Sequence, residues 1–280
     1  MIRPPRTVAG IAFLGGWTVD RTRPRGDERD RAPRVTSMLR RWAMPRRVLR
    51  DELLDGIDLD GAELAANLRD IRRVNRLAGG TRATMRALPA LAERVPAGRP
   101  LVILDLATGS GDIPAAVLRW ADRTGRDVEM IASDLSPAIL TEARSHLEDW
   151  PGVRFSTHDA RSVPMPDRSV DIVLCALALH HFAPAEAVAV LREMARLAGT
   201  GFILNDITRS RPGHLAAWVS SRLATRNRLT LNDMPLSVLR AYTPAELRDL
   251  LTGAGLPGAT IRRHWLFRMT AVWHRPEASR

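Results

Sequence analysis

The stretch 101–114, LVILDLATGSGDIP, constrains this chain more than any other. An apolar run of strand length (Leu101, Val102, Ile103, Leu104) ends in Asp105, passes through a turn of small residues (Ala107, Thr108, Gly109, Ser110, Gly111) and enters a helix. A buried parallel strand that ends this way lets a ligand lie against bare backbone, with helix N–H groups pointing at it. The pattern predicts an α/β fold with a nucleotide-type site at the end of its first strand. What the turn lacks excludes two common variants. A dinucleotide fingerprint needs a third glycine where strand and helix pack closely, and that slot, three residues after Gly111, holds Pro114. A phosphate loop needs a lysine, and all the basic residues of this chain are arginine.

The surrounding pattern supplies the rest of such a fold. From Asp60 the spacing is helical: Asp60 can cap, Glu63 sits three residues on, and Leu64, Leu68, Ile71 and Val74 share a face until Gly79-Gly80. A second helix from Thr81 through Met85, Leu88 and Leu91 is expected to bend or break at Pro89. After the glycine turn come a helix over 113–123 and a second strand over 128–134, ending in Asp134. A third strand over 153–157 runs into His158-Asp159-Ala160, and a fourth over 170–175 into Leu179-His180-His181-Phe182. A helix over 184–197 and a fifth strand over 201–204 lead to Asn205-Asp206. Residues 207–241 are too long for a simple connection and are expected to form a lid and pocket wall. Thr243-Pro244-Ala245-Glu246 reads as a capped helix start, and 259–264 and 267–274 suit two final strands. In an open parallel sheet ligands bind beyond the carboxyl ends of the strands, near the order switch. His180, His181 and Asp206 all fall there. Adjacent residues rarely face the same way, so one histidine, with His181 preferred, is expected to look into the pocket while the other serves structure.

The arrangement Asp-x-Ala-x-Gly-x-Gly at 105–111 resembles the first motif of class I S-adenosylmethionine (SAM) dependent methyltransferases. Asp-x-Ser-Pro at 134–137 and the paired histidines after the fourth strand resemble the same class, each in the place that fold requires. The resemblance covers 61–280 and is most specific over 101–206. It implies a Rossmann-like seven-stranded sheet of order 3-2-1-4-5-7-6, the last strand antiparallel, with N-terminal helices and a helical insertion after strand five. It also implies SAM as cofactor and S-adenosylhomocysteine (SAH) as product. Carried over residue by residue, it sets Asp105 near the SAM ammonium, directly or through water, and Ala107, Gly109, Ser110 and Gly111 in the cofactor turn. Asp134 would accept from both ribose hydroxyls with Leu135 beside it, while Asp159 and the Ala160 N–H would meet the adenine. Cys175 and Asn75 complete the expected cofactor residues. His181 or His180 is expected to assist deprotonation of the acceptor, with Asp206 as a partner, and no metal-ligand set is expected. Ala107 replaces the commonest first glycine, as it does in the quinone-type enzymes. Within the class, Asp-Leu-Ala-x-Gly-x-Gly-Asp and Leu-His-His-Phe resemble the ubiquinone/menaquinone biosynthesis methyltransferases. Asn-Leu-Arg-Asp, Asn-Arg-Leu-x-Gly-Gly and Ser-Val-Leu-Arg-Ala-Tyr-Thr-Pro resemble bacterial methyltransferases of polyketide and phenolic-lipid metabolism. The implied acceptor is a small hydrophobic phenol or polyketide product, methylated on oxygen in preference to the carbon of a quinol-type ring. A SAM-binding regulator without catalysis is the alternative of a different class.

The net charge of +11 invites a nucleic-acid reading until it is divided along the chain. Residues 1–50 hold 13 arginines and 4 acids, and the remainder 29 arginines and 27 acids, so the folded part is nearly neutral. A polyanion partner is therefore disfavoured. The single cysteine excludes an intramolecular disulfide and any multi-cysteine zinc site, and fits a cytoplasmic location. Residues 1–37, rich in Arg, Pro and Gly, read as a disordered extension in preference to a signal peptide, since the run 8–17 is short and no A-x-A site follows. Residues 38–98 read as a helical cap and 99–280 as the methyltransferase domain, with no stretch apolar enough to span a membrane.

Overall fold

The structure, a computed structural model, describes residues 46–55 and 61–276. The expected N-terminal extension and the capping role of Asp60 lie outside those residues. Among the described residues are seven strands: β1 (Leu101–Leu106), β2 (Val128–Asp134), β3 (Arg154–Thr157), β4 (Val170–Ala176), β5 (Ala198–Ile207), β6 (Thr260–His264) and β7 (Arg268–His274). They form one sheet of order β3-β2-β1-β4-β5-β7-β6. The first five run parallel, and β7 runs antiparallel to β5 and β6. This is the expected class I methyltransferase topology. The order reverses between β1 and β4, which pair through Ile103 and Ile172 up to Leu106 and Cys175.

Both faces of the sheet are covered, so its central strands read as continuous apolar runs. Leu104 and Leu106 of β1 pack with Val173 of β4, Phe202 of β5 and the helix α5 (Pro184–Leu197). Leu101 and Ile103 face the other way, toward α2 (Gly80–Ala92) and α3 (Asp112–Thr124). The strand period of two thus directs Asp105, two residues after Ile103, to the α2–α3 side.

The helix α1 (Gly61–Leu77) ends before Gly79-Gly80 as its sequence requires. Of the bend or break expected at Pro89, the break does not occur, and α2 runs through the proline. An interior proline costs about 3 kcal/mol through its lost hydrogen bond and ring clash. Leu88 and Leu91, both fully buried on a helix packed against β5 and β4, each contribute about 1.5–3 kcal/mol and hold the helix in place.

The segment after β5 folds as α6 (Arg211–Ala224) and α7 (Arg228–Arg240). The second of these is tied to α1: Asn67 donates to Thr230 at 3.0 Å, Thr230 to Asp70 at 3.0 Å, and Asn227 to the Glu63 carbonyl at 2.9 Å. The helix α4 (Pro137–His146) follows β2, and α8 (Pro244–Gly253) starts with the expected capping box of Thr243 and Glu246. No helix among the described residues is long and apolar enough to cross a membrane.

Candidate active site

Beyond the carboxyl ends of the strands lies a cavity of about 1250 Å³, walled by α1, the glycine turn, the β4–α5 connection and the α6–α7 insertion. One of its ends is the turn after β1. Ala107, Gly109 and Gly111 all have left-handed backbones, with φ of 53°, 53° and 73°. Nothing lies within 4 Å of the place a Gly109 side chain would occupy, whereas one at Gly111 would meet Leu147 at 2.8 Å. Gly109 thus leaves bare backbone on the cavity wall, and Gly111 lets the turn close against α4.

Asp134 holds this end together. Its two carboxylate oxygens accept from Gly109 N–H and Ser136 N–H, each at 3.1 Å, so one side chain joins the end of β2 to the turn after β1. Burial raises its pKa, against the pull of those backbone donors. Asp105 lies one layer behind the wall, 1% exposed. Its Oδ2 accepts from the Thr108 hydroxyl at 2.7 Å, its Oδ1 has no partner, and burial pushes its pKa up to about 8. A buried carboxylate oxygen without a donor suits a ligand ammonium or a bridging water. These residues fit a SAM-type zwitterion.

Of the expected cofactor residues, Ala107, Gly109, Ser110, Asp134, Leu135, Asp159 and Ala160 line the cavity. Asp159 already pairs with Arg161 at 2.7 Å, and Arg161 also bridges to Glu186. A ligand amine would share Asp159 with that guanidinium. Gly111 packs beneath the turn. Cys175 and Asn75 do not line the cavity. Strand alternation sends the buried Cys175 side chain into the apolar layer beside α5. Asn75, also buried, donates to Asp112 at 2.6 Å and joins α1 to the start of α3.

At the other end, Leu179–His181 forms a single 3-10 turn after β4. Asp206, at the end of β5, fixes His180 twice: Oδ1 lies 2.8 Å from His180 Nδ1, and Oδ2 accepts the His180 backbone N–H at 3.0 Å. Burial opposes the Asp206 charge, but the charge and hydrogen bond of His180 outweigh it and keep the pKa below its usual value. His181 Nδ1 is 3.0 Å from Asp55 Oδ1. The two histidines do not diverge as expected. Their rings lie 4.4 Å apart, and both Nε2 atoms approach Glu52, at 3.7 and 3.9 Å. The 3-10 turn breaks the strand alternation, and a separate carboxylate holds each ring.

Sequence reasoning missed Glu52, Asp55, Asp233, Arg240 and Arg268. The acids at 52 and 55 sit beside Leu53-Leu54 without any recognisable motif. They are placed by tertiary bonds to α7: Asp233 accepts from Leu53 and Leu54 N–H at 2.8 and 2.9 Å, and Arg240 donates to Asp55 at 3.0 Å. Arg47 adds bonds to the carbonyls of His180 and Phe182, both at 2.8 Å. Burial raises the Glu52 pKa to about 7. Burial also works against the Asp55 charge, yet the bond to His181 and its charge hold that carboxyl below its usual range. Arg268 lines the cavity from β7, 3% exposed, with Nε and Nη1 unpartnered, and burial lowers its pKa to about 10.

A family profile described as "Methyltransferase domain" matches residues 103–201, from β1 into β5. The chain is 29% identical over 196 residues to the demethylmenaquinone methyltransferase of Deinococcus radiodurans, a match covering 66% of this chain and 78% of that protein. It is 35% identical over 101 residues to the ubiquinone/menaquinone biosynthesis C-methyltransferase UbiE of Chromobacterium violaceum, covering 35% of this chain and 39% of that one. The chain thus carries a methyltransferase domain over residues 103–201 on a class I methyltransferase fold. Two solved structures share its fold. The citrinin polyketide synthase CMeT domain superposes with a TM-score of 0.51 at 18% identity, covering 67% of this chain and 49% of that one. Human N-acetylserotonin methyltransferase in complex with SAM superposes at 0.56 and 16% identity, covering 78% and 57%.

Proposed function

We propose that this methyltransferase acts on a small hydrophobic acceptor, a phenol or a polyketide-derived enol, with the acceptor's hydroxyl oxygen set against the His180–His181 cluster. The observation that carries the reading is the shared cavity: the glycine turn with Asp134 and the histidine cluster open into one space of about 1250 Å³. Pockets for a single small ligand run to about 1,000 Å³, so this volume suits donor and acceptor together. Leu64, Leu68, Ile71, Val74 and Met234 give the acceptor side an apolar wall. The α6–α7 insertion serves as its lid.

SAM supplies an electrophilic methyl group on sulfur. On the chain's side, Asp105 and Arg268 suit the ammonium and carboxylate of its amino-acid end, and Asp134 suits the ribose diol. The acceptor must then be aligned with the methyl and its O–H ionised, and alignment in a closed site supplies much of the rate. Asp206 fixes the His180 ring and Asp55 the His181 ring, so the groups facing the acceptor oxygen are held before it arrives. Ionisation activates both the oxygen and the ring or chain carbon beside it. The relatives' names, a demethylmenaquinone methyltransferase and a C-methyltransferase, favour carbon over the oxygen expected from the sequence. A cytoplasmic location belongs to the same reading.

Transfer of labelled methyl from SAM to alkylresorcinols, hydroxynaphthoquinols, small polyketide enols and bulk RNA, with the product located by NMR, tests the proposal. Label on ring or chain carbon supports it, and label on phenolic oxygen keeps the acceptor class while returning the position to oxygen. Label on RNA alone, or SAH binding with no transfer to any acceptor, would overturn it.

A further inference from the structure

Three ligand-type atoms meet at one point of the cavity wall: His180 Nε2, His181 Nε2 and a Glu52 carboxylate oxygen lie within 4.8 Å of one another. They come from two separate segments, the stretch before α1 and the turn after β4. Each imidazole has its other nitrogen against a carboxylate, Asp206 for His180 at 2.8 Å and Asp55 for His181 at 3.0 Å. In a neutral imidazole such a partner keeps the proton on Nδ1 and leaves Nε2 with a bare lone pair. Both lone pairs then face the Glu52 carboxylate at 3.7 and 3.9 Å, too far for hydrogen bonds. Ser237 Oγ–H at 2.8 Å and Arg240 Nε at 3.8 Å bear on Glu52 Oε1 from its other side, and a cation in the gap would offset the repulsion that remains among these three electron-rich groups.

The gap has the size of a metal ion. Two ligand bonds of about 2.1 Å at a tetrahedral angle put their ligand atoms about 3.4 Å apart, so small shifts from the 3.7 and 3.9 Å found here would close the site on an ion. These groups are not a solvated surface cluster, since Glu52 is 6% and His180 3% exposed. All three residues line the cavity, so further coordination positions face the space assigned to the acceptor. Two imidazoles and one carboxylate form a donor set suited to Zn²⁺, Fe²⁺ or Co²⁺, whereas Mg²⁺ and Ca²⁺ prefer oxygen throughout. The Asp206 and Asp55 bonds are the carboxylate–histidine contacts that orient metal-ligating imidazoles.

We propose that Glu52, His180 and His181 bind one divalent first-row transition-metal ion, whose open positions take the acceptor's oxygen; this rests on the acceptor reading above. An acceptor hydroxyl would coordinate as the oxyanion and release its proton to solvent. The ion, in place of an imidazole base, would then stabilise the charge that the methyl-transfer step requires.

The test uses the full chain without a purification tag, stripped with chelator and titrated with Co²⁺ and Zn²⁺ by visible absorption and calorimetry, with Mg²⁺ as the comparison. The expected result is one equivalent of Co²⁺ with d–d bands of a nitrogen- and oxygen-ligated ion, displaced by Zn²⁺ and not by Mg²⁺. Glu52→Gln and His181→Ala should each weaken uptake at least tenfold while SAH binding, at the far end of the cavity, is kept. Asp55→Asn, which leaves every ligand in place, should weaken it about 10–100-fold. Absence of stoichiometric uptake, or uptake unchanged in all three variants, would overturn the proposal. Methyl transfer that survives full metal removal would overturn the metal's role and leave the acceptor reading standing. Tight metal binding with no acceptor methylated would do the reverse.

Discussion

Asp105→Asn removes a buried carboxylate beside the glycine turn whose charge the free protein resists. Asp105 is 1% exposed, its Oδ1 has no partner, and burial sets its pKa at about 8. A SAM or SAH ammonium beside it would favour the ionised form, so binding should expel a proton and weaken as the pH falls below 8. At pH 8 about half the protein carries the carboxylate and, with an α-amino pKa of about 8, about half the ligand carries the ammonium. At pH 6 all the ligand but only about one protein molecule in a hundred qualifies, so affinity drops on the order of 25-fold. Stability of the free protein runs the other way. The folded state holds this proton more tightly than the unfolded chain, whose aspartate titrates at about 3.9. That contribution is therefore complete below about pH 4 and lost as the pH rises through about 8. Both dependences should flatten in the Asp105→Asn variant. Calorimetric titration with SAH at pH 6, 7 and 8, in two buffers of different ionisation enthalpy, measures affinity and proton release together. At pH 7 the wild type should release about 0.8 proton, about 0.9 from Asp105 less about 0.1 taken up by the ligand amine. A wild-type affinity that is flat between pH 6 and 8, or an equal proton count in the variant, would refute the assignment of Asp105 to the ammonium.

Asp134→Asn turns a donor toward either Gly109 N–H or Ser136 N–H, at a cost of about 1–3 kcal/mol, and SAH dissociation constants should rise by about 5- to 150-fold. An unchanged constant by calorimetry would remove Asp134 from the cofactor site. Gly201→Ala puts a methyl group 2.1 Å from the Trp273 carbonyl oxygen and 2.7 Å from Leu91 Cδ2, which only separation of β5 from β7 relieves. A loss of about 3 kcal/mol is expected, seen as a fall in Tm of about 6–12 °C by calorimetry. Asp206→Asn frees the His180 ring, so kcat should fall about 10–100-fold while SAH affinity holds, as expected for a positioning residue. Equal losses in kcat and SAH affinity would show a purely structural role.

The sheet was legible because its constraints are local. Asp105, Asp134 and the histidine pair each stand where an apolar run stops, and in a parallel sheet the end of a strand is the edge of the site. Pro89 does not break α2 because the preference it expresses is local too, while the burial of Leu88 and Leu91 that overrides it is tertiary. Cys175 is a finer case. It sits on a strand that borders the cavity, yet one step of strand alternation decides whether its side chain faces the ligand or α5, and it faces α5.

Glu52 and Asp55 were illegible for a different reason. Nothing within several residues of them fixes their position, and Arg240, which grips Asp55, is 185 residues away. The matched family region ends at residue 201, so it contains the glycine turn, Asp134 and both histidines but none of Glu52, Asp55, Asp206 and Arg240. Ends of sheet strands are fixed in register by their neighbours, which makes a site built on them recognisable from short motifs. The other end of the cavity is closed by a short segment before α1 and by an insertion after β5, each held by side-chain bonds to the other. Changing a few of those bonds would move the acids around the histidines and leave the sheet untouched. Acceptor chemistry can therefore change between relatives that share the cofactor turn, and the acids gathered around His180 and His181 are where this chain's own chemistry should be sought.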